Sequence, residues 1–450
     1  MQVHFIAIGG SAMHNLAMAL QDKGYTISGS DDEIFEPSYS RLKSRGLLPQ
    51  ALGWFPEKIH LRLDAVILGM HARSDNPELL RAQEFGVKIY SYPEYLYQQS
   101  IDKERVVIAG SHGKTTITAM ILHVLKQAGI DTDYMVGAQL DGFEVMVRLS
   151  KYAKWMILEG DEYLTSPIDR RPKFLHYHPH IAVLSGIGWD HYNVFPNFDQ
   201  YLDQFRQLLA QLEPDGQLFY FEEDEVLEKL LADYMLRSQP YGVHPYQLSD
   251  KELSLVDRNG AKYPVKLFGR HNFANISAAK AVCSAIGVAD DVFYDAIQSF
   301  AGASKRMEQV AVRGDRYLFR DFAHAPSKLQ ASVEALRERF PNHQLVICFE
   351  LHTFSSMSEG FIDHYKHTLD KADVACVFYD PHAVAMKRLP MMSDKRISEG
   401  FGRSLSVIKD SASLVRALQA ISSDNNVVAL MSSGSFGGLD VQALLSEIGF

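Results

Sequence analysis

The sequence predicts an α/β fold in three successive blocks, and three observations predict it. An apolar strand that breaks into a turn and then into a helix recurs along the chain, which is the order of elements in a parallel sheet with crossover helices. One of these turns, in Val106-Val-Ile-Ala-Gly-Ser-His-Gly-Lys-Thr-Thr116, carries the residues of a phosphate loop. The 450 residues leave room for about three domains, and a hydrophobic content of 46% supplies several cores.

Block one covers residues 1–102. A strand over 3–8 turns at Gly9-Gly10-Ser11 and continues as a helix through Leu16, Ala19 and Leu20. A second strand, 25–28, ends at Gly29-Ser30-Asp31-Asp32. An acidic residue about 20 positions after such glycines is where βαβ nucleotide folds hold a ribose or base, so a Rossmann-like domain is expected. Gly-x-Gly-x-x-Gly is absent, which favours another nucleotide over a dinucleotide. A strand over 65–69 delivers His71 to the carboxyl end of the sheet, where ligands of open sheets sit.

Block two covers residues 103–302. Gly110 and Gly113 let the backbone turn successive N–H groups toward one anion, and a helix starting near Lys114 adds the positive end of its dipole. Lys114 supplies a mobile charge, and the Thr115 hydroxyl is placed to ligate Mg²⁺. The usual first glycine would fall at position 108, which is Ile108; the order strand, loop, helix carries the reading instead. Ile117, Met120, Ile121, Val124 and Leu125 repeat at helical spacing. An apolar strand from Trp155 ends in Glu159, Asp161 and Glu162, and by chemistry alone each is a candidate second ligand for Mg²⁺. The strand over 181–185 leads to Trp189-Asp190-His191, whose imidazole reads, unaided, as a loop histidine. His176, His178 and His180 alternate as on one strand face; no cysteine or carboxylate close in sequence completes a zinc site, so a surface or interface role is expected.

Block three covers residues 303–450. It holds Arg320-Asp321-Phe322-Ala323-His324-Ala325-Pro326, a helix from near Ser327, strands over 345–349, 373–377 and 427–431, and the loop Ser432-Ser-Gly-Ser-Phe-Gly-Gly438. Ser433 stands where a nucleophile elbow needs glycine, which argues against a serine hydrolase. The net charge of −10 disfavours nucleic acid as a partner. Cys283, Cys348 and Cys376 lie far apart in apolar text, as in a reducing cytoplasm. The first residues show no secretion signal, and no apolar run approaches the roughly 20 residues that cross a bilayer, so membrane insertion is not expected.

Taken together, Gly9-Gly10-Ser11-Ala12-Met13, Gly110-Ser-His-Gly-Lys-Thr-Thr116, Glu159-Gly-Asp-Glu162, Asp190-His191, Gly269-Arg-His-Asn272 with Asn275, Lys305-Arg306, Asp321-Phe-Ala-His324 and Gly437-Gly438 resemble the Mur ligase family across all three blocks. The resemblance implies a Rossmann-like N-terminal domain, a central P-loop ATPase-like domain and a C-terminal Rossmann-like α/β domain that closes over ATP. Gly110, Ser111, His112, Gly113, Lys114, Thr115 and Thr116 would hold the ATP phosphates, with Thr115 and Glu159 on one Mg²⁺ and Glu159 with His191 on a second. His271 and Asn275 match adenine contacts, Arg306 and Asp321 reach the nucleotide, and His324 lies near the reacting phosphates. Lys114, Glu159, His191 and His324 are thus the implied catalytic residues. Gly9, Gly10, Ser11, Ser30, Asp31 and His71 would bind the UDP part of UDP-N-acetylmuramate.

Within the family, Leu158-Glu-Gly-Asp-Glu-Tyr163 and Phe174-Leu-His-Tyr177 are most similar to the branch that attaches L-alanyl-γ-D-glutamyl-meso-diaminopimelate to UDP-N-acetylmuramate in peptidoglycan recycling; the branch that attaches L-alanine comes next. Either implies an acyl phosphate displaced by an amine, with no protein nucleophile. Three departures stand out. The helix Gln200-Tyr-Leu-Asp-Gln-Phe-Arg206 lacks the lysine that some relatives carbamylate, Arg320 precedes Asp321 where relatives often have aspartate, and Phe349-Glu350-Leu351-His352 has no arginine for the amine's carboxylate. Two other classes fit the sequence less well, a nicotinamide-dependent oxidoreductase and a non-catalytic ATP-dependent muropeptide sensor; intact Lys114, Glu159 and His191 count against the latter.

Overall fold

A computed structural model describes residues 1–140, 143, 145–189, 194–249, 253–303, 306–421 and 424–450. The chain divides into two compact units, one of Met1–Ile187, Asn197–Gly242 and Ser277–Ile297, the other of Gly188–Pro196, Val243–Ile276 and Gln298–Phe450.

The first unit contains two sheets. In the smaller, β1 (Gln2–Ile6), β2 (Thr26–Ser30), β3 (Ala65–Leu68) and β4 (Ile89–Ser91) run parallel in the order β2-β1-β3-β4. The connection after β1 runs to β2 on one side and the connection after β3 runs to β4 on the other, which opens a crevice between the carboxyl ends of β1 and β3. The first strand stops before the expected position 8 because Ala7 turns to φ 69° and both Ala7 and Ile8 donate their N–H to Ser30 O.

The larger sheet has seven strands: β5 (Glu104–Ala109), β6 (Thr132–Met135), β7 (Val147–Arg148), β8 (Trp155–Glu159), β9 (Ile181–Leu184), β10 (Gln217–Phe221) and β11 (Arg237–Tyr241). Their order is β11-β10-β9-β5-β8-β6-β7, with only β7 antiparallel. β5 lies in the middle and is covered on both faces, which is why its sequence is continuously apolar rather than alternating. The helix Lys114–Gln127 buries Ile117, Met120, Ile121, Val124 and Leu125 completely, as their spacing predicts.

One expectation fails here. His176, His178 and His180 share no strand: Lys173–His176 is a 3₁₀ turn, His178 takes φ 42°, and β9 begins only at Ile181. Arg105 is the cause. Its Nε donates to Tyr177 O at 2.8 Å and to His178 O at 2.9 Å, so carbonyls that a neighbouring strand would use are bonded to a guanidinium.

The second unit has an antiparallel ribbon, β12 (Tyr246–Leu248), β13 (Leu253–Val256) and β14 (Lys262–Pro264), and a six-stranded sheet. That sheet comprises β15 (Glu308–Arg313), β16 (Asp315–Asp321), β17 (Gln344–Glu350), β18 (Val374–Phe378), β19 (Ser406–Ile408) and β20 (Asn425–Met431). The order is β15-β16-β20-β17-β18-β19, parallel apart from β15. Asp321, Met431 and Phe349 pair across one row, so three loops leave the carboxyl edge at the same height. All three cysteines are buried and unpaired by disulfides. Among the described residues no helix is long and apolar enough to cross a membrane.

Candidate active site

The phosphate loop starts where β5 meets β9. Gly110 takes φ 108°, and a Cβ there would lie 2.7 Å from Ser185 N and 2.9 Å from Gly186 O, so no other residue fits. Ser111 N donates to Gly186 O at 2.9 Å, and the Ser185 hydroxyl donates to Ala109 O at 3.1 Å and to His112 O. The loop is thus stitched to the end of the adjacent strand before any ligand arrives. Gly113 caps the helix Lys114–Gln127 without a side-chain acceptor, an arrangement that suits an incoming anion.

Lys114 Nζ donates to Gly110 O at 2.8 Å and to Glu162 Oε2 at 2.6 Å. Glu162 is buried; its other oxygen accepts the Tyr201 hydroxyl at 3.1 Å, and Tyr201 lies 3.0 Å from Ser111 Oγ. Burial disfavours the Lys114 ammonium, but Glu162 beside it, with Asp161 and Glu159 nearby, outweighs that and raises its pKa above the ordinary lysine value.

Glu159 ends β8. Its Oε1 accepts the Thr115 hydroxyl at 2.7 Å and its Oε2 accepts Gly137 N at 2.7 Å. A Cβ at Gly137 would stand 2.9 Å from that carboxylate, so the absent side chain makes the room. A hydroxyl and a buried carboxylate side by side are hard oxygen donors, and they fit Mg²⁺. Asp161 pairs with Lys173 at 2.6 Å instead. His191, together with Asp190 and Lys305, lies outside the described residues.

In the small sheet, Gly9, Gly10, Ser11, Ser30 and Asp31 come together at the ends of β1 and β2, and His71 follows β3 on the other side of β1. Asp31 Oδ2 accepts Gly9 N at 2.7 Å, and burial raises the pKa of its carboxyl although that N–H opposes the shift. Lys58 Nζ donates to Ser30 Oγ at 3.0 Å. Ser11 and His71 are exposed. Beneath the turn, Asn15 has a fixed amide: Oδ1 accepts Met146 N at 3.0 Å and Nδ2 donates to Ser11 O at 2.9 Å. Asn15 Nδ2 also faces His14 Nε2 at 3.0 Å, which must therefore accept, and His14 is neutral. Burial lowers its pKa accordingly.

In the second unit Asp321 ends β16; Oδ1 accepts Met307 N at 3.0 Å and Oδ2 accepts the Ser332 hydroxyl at 2.5 Å. Burial lowers the pKa of His271, with Asp321 and Glu338 opposing. Asn275 is buried on the helix Arg270–Ile286. The Arg306 guanidinium lies 4.5 Å over the Phe322 ring, and Phe322 meets His324 edge-on at 5.3 Å. His324 Nδ1 lies 2.9 Å from Phe322 O, an acceptor, so that nitrogen carries the hydrogen.

Sequence reasoning missed a second acid-centred group on this edge. Glu350 ends β17, is 3% exposed, and its Oε2 accepts the Ser432 hydroxyl and, at 2.9 Å, Phe436 N. His352 Nδ1 stands 3.6 Å from Glu350 Oε1. A Cβ at Gly434 would collide with both His352 and Glu350. The available signal was an apolar strand ending in a carboxylate, the same that marked Glu159. Sequence reasoning also did not foresee Glu162 as the partner of Lys114, or Tyr201 as its brace.

Comparisons with known proteins cover nearly the whole chain. Three family descriptions match in order: "Mur ligase family, catalytic domain" at residues 2–103, "Mur ligase middle domain" at 108–283 and "Mur ligase, glutamate ligase domain" at 305–434. UDP-N-acetylmuramate–L-alanine ligase of Lactiplantibacillus plantarum is 30% identical over 382 residues, 82% of each chain. Among solved structures, UDP-N-acetylmuramate-alanine ligase from Thermotoga maritima superposes with a TM-score of 0.69 at 22% identity, covering 100% of this chain and 98% of that one. UDP-N-acetylmuramate:L-alanyl-gamma-D-glutamyl-meso-diaminopimelate ligase from Neisseria meningitides gives 0.60 at 26% identity, covering 66% of this chain and 98% of that one.

Proposed function

The chain belongs to the Mur ligase family of ATP-dependent, ADP-forming ligases, and from that premise we propose that it joins UDP-N-acetylmuramate to the peptide L-alanyl-γ-D-glutamyl-meso-diaminopimelate. The observation that carries the ATP-dependent part of this reading is the grouping of Lys114, Thr115 and Glu159 where β5 and β8 end, which suits a phosphate seat with a hard-cation position beside it. The proposed division is 1–102 for the UDP-sugar, 103–302 for ATP, and 303–450 for the amine together with Arg306 and Asp321. Similarity to the Neisseria meningitides ligase and the text around Glu162 and Phe174 support the peptide as amine.

In this reading the lactyl carboxylate of UDP-N-acetylmuramate attacks the γ-phosphorus of ATP; the new O–P bond forms as the bond to ADP breaks, leaving an acyl phosphate. Two anions must approach, and at about 4 Å their repulsion is roughly 4 kcal/mol at an effective dielectric near 20. Lys114, kept charged by its carboxylate neighbours, offsets part of that. Thr115 and Glu159, with His191, would hold Mg²⁺, which when bound supplies further positive charge to the phosphates. Gly110 to Thr116 orient the triphosphate, and Gly9 to Ser11, Ser30, Asp31 and His71 take the UDP. His271 and Asn275 would meet adenine, Asp321 the ribose, and Arg306 and His324 the reacting end. The amine then attacks the acyl carbon and phosphate leaves.

A second reading, attachment of L-alanine, is favoured by the 30% identity with the Lactiplantibacillus plantarum enzyme. Phosphate release measured with ATP, Mg²⁺ and UDP-N-acetylmuramate decides between them: the tripeptide is expected to raise the rate well above L-alanine. The reverse order assigns the second reading, and no release with either amine sinks both.

A further inference from the structure

We propose that His352 is the base that takes a proton from the incoming amine. This deepens the ligase reading and rests on it. An amino group at neutral pH arrives as an ammonium, which has no lone pair, so a proton must leave before nitrogen attacks.

The carboxyl edge of the six-stranded sheet holds a group built for that task. Glu350 is fixed through Oε2 by the Ser432 hydroxyl and Phe436 N, which leaves Oε1 toward His352 Nδ1 at 3.6 Å. Burial alone would raise the Glu350 pKa, but His352, Ser432 and the Phe436 N–H together outweigh it and hold the pKa below the ordinary value, so the group stays an anion. An anion facing Nδ1 selects the tautomer with its hydrogen there and leaves the lone pair on Nε2. Nδ1 is buried and has no hydrogen-bond partner, whereas the His352 side chain as a whole is 37% exposed. One nitrogen therefore faces the protein while the rest of the ring is accessible. A contact of 3.6 Å is loose, as base-to-orienter contacts are before substrate binds. Asp321 and Phe349 share one row two strands apart, on the order of 10 Å. The base thus stands on the same edge as the residue proposed for the ribose.

The step balances. One ammonium proton moves to His352 Nε2; the freed lone pair attacks the acyl carbon, the C–N bond forms, and the C–O bond to phosphate breaks with its electrons going to phosphate. A second nitrogen proton passes to phosphate or water, and the imidazolium returns its proton to solvent.

Hydroxylamine provides the test, because it is neutral at pH 7 and traps acyl phosphates without a base. With ATP, Mg²⁺ and UDP-N-acetylmuramate, His352→Gln is expected to make hydroxamate near the parent rate while amide formation with tripeptide and with L-alanine falls by about 10²-fold or more. The loss should lie in kcat, with the KM for amine little changed. Glu350→Gln should lose amide formation in the same pattern but by less. Parallel loss of hydroxamate and amide, unchanged amide formation, or a rise confined to KM would each overturn the inference while the ligase reading stands. A parent protein that makes no hydroxamate from UDP-N-acetylmuramate overturns that reading and this inference with it.

Discussion

Two sheet edges in this molecule end in acids, and the acids are employed differently. At the edge of the seven-stranded sheet, Glu162 binds a lysine ammonium and Glu159 a threonine hydroxyl, so negative charge steadies the two side chains proposed to meet phosphate and Mg²⁺. At the edge of the six-stranded sheet, Asp321 and Glu350 accept neutral donors, and Glu350 keeps one oxygen for an imidazole. In the proposed reading the first edge holds charge through a phosphoryl transfer, and the second orients the imidazole proposed to take the amine's proton. A strand ending in a carboxylate therefore specifies a position and leaves the chemistry to the partner.

If that contrast is right, the largest effect belongs to the first edge. Lys114→Ala should lower ADP release by about 10³-fold while calorimetry shows UDP-N-acetylmuramate affinity nearly unchanged; loss of both would merge what are proposed as separate sites. Next, Glu162→Gln leaves the Lys114 ammonium with no charged hydrogen-bond partner and should cost about 3 kcal/mol in denaturant unfolding, with Mg²⁺-ATP restoring much of it because phosphate replaces the carboxylate. Stability unaffected by either change would show that the pair does not hold the loop. Gly434→Ala probes the second edge without removing a polar group: the new methyl displaces His352, and amide formation should drop about tenfold with hydroxamate formation intact. The smallest effect is at His14. Its native pKa lies below the ordinary 6.5, so the unfolded chain takes up the proton first; the stability it confers is complete above that value and is lost as pH falls through the native one. Thermal melts should fall between pH 7 and pH 5, and His14→Gln should flatten that fall by about 2 °C.

Much of the first edge was legible because its chemistry is consecutive in sequence: Gly110 to Thr116 is one stretch, and Glu159 announces itself by ending an apolar run. The strands of both large sheets were legible for the same reason, since Val106 to Ile108 and Val427 to Met431 are buried on both faces and read as unbroken apolar text. On the second edge Asp321 and His324 were legible as one stretch, but the group around Glu350 was not. Glu350, His352, Ser432 and Gly434 meet only because β20 inserts between β16 and β17, a strand order that no local spacing encodes. The histidines at 176, 178 and 180 misled for a related reason: Arg105, some 70 positions away, bonds the carbonyls that would have made them a strand.

The missing side chains at Gly110, Gly137 and Gly434 bear on inheritance. Every codon change that replaces glycine adds a Cβ, and at these places that atom meets a backbone turn, a carboxylate or an imidazole. A lineage drifting by point mutation has no neutral neighbour there. In a saturation library selected on growth, columns 110 and 137 should empty first, and column 434 should empty only where the finished amide, rather than nucleotide turnover, is what the cell needs.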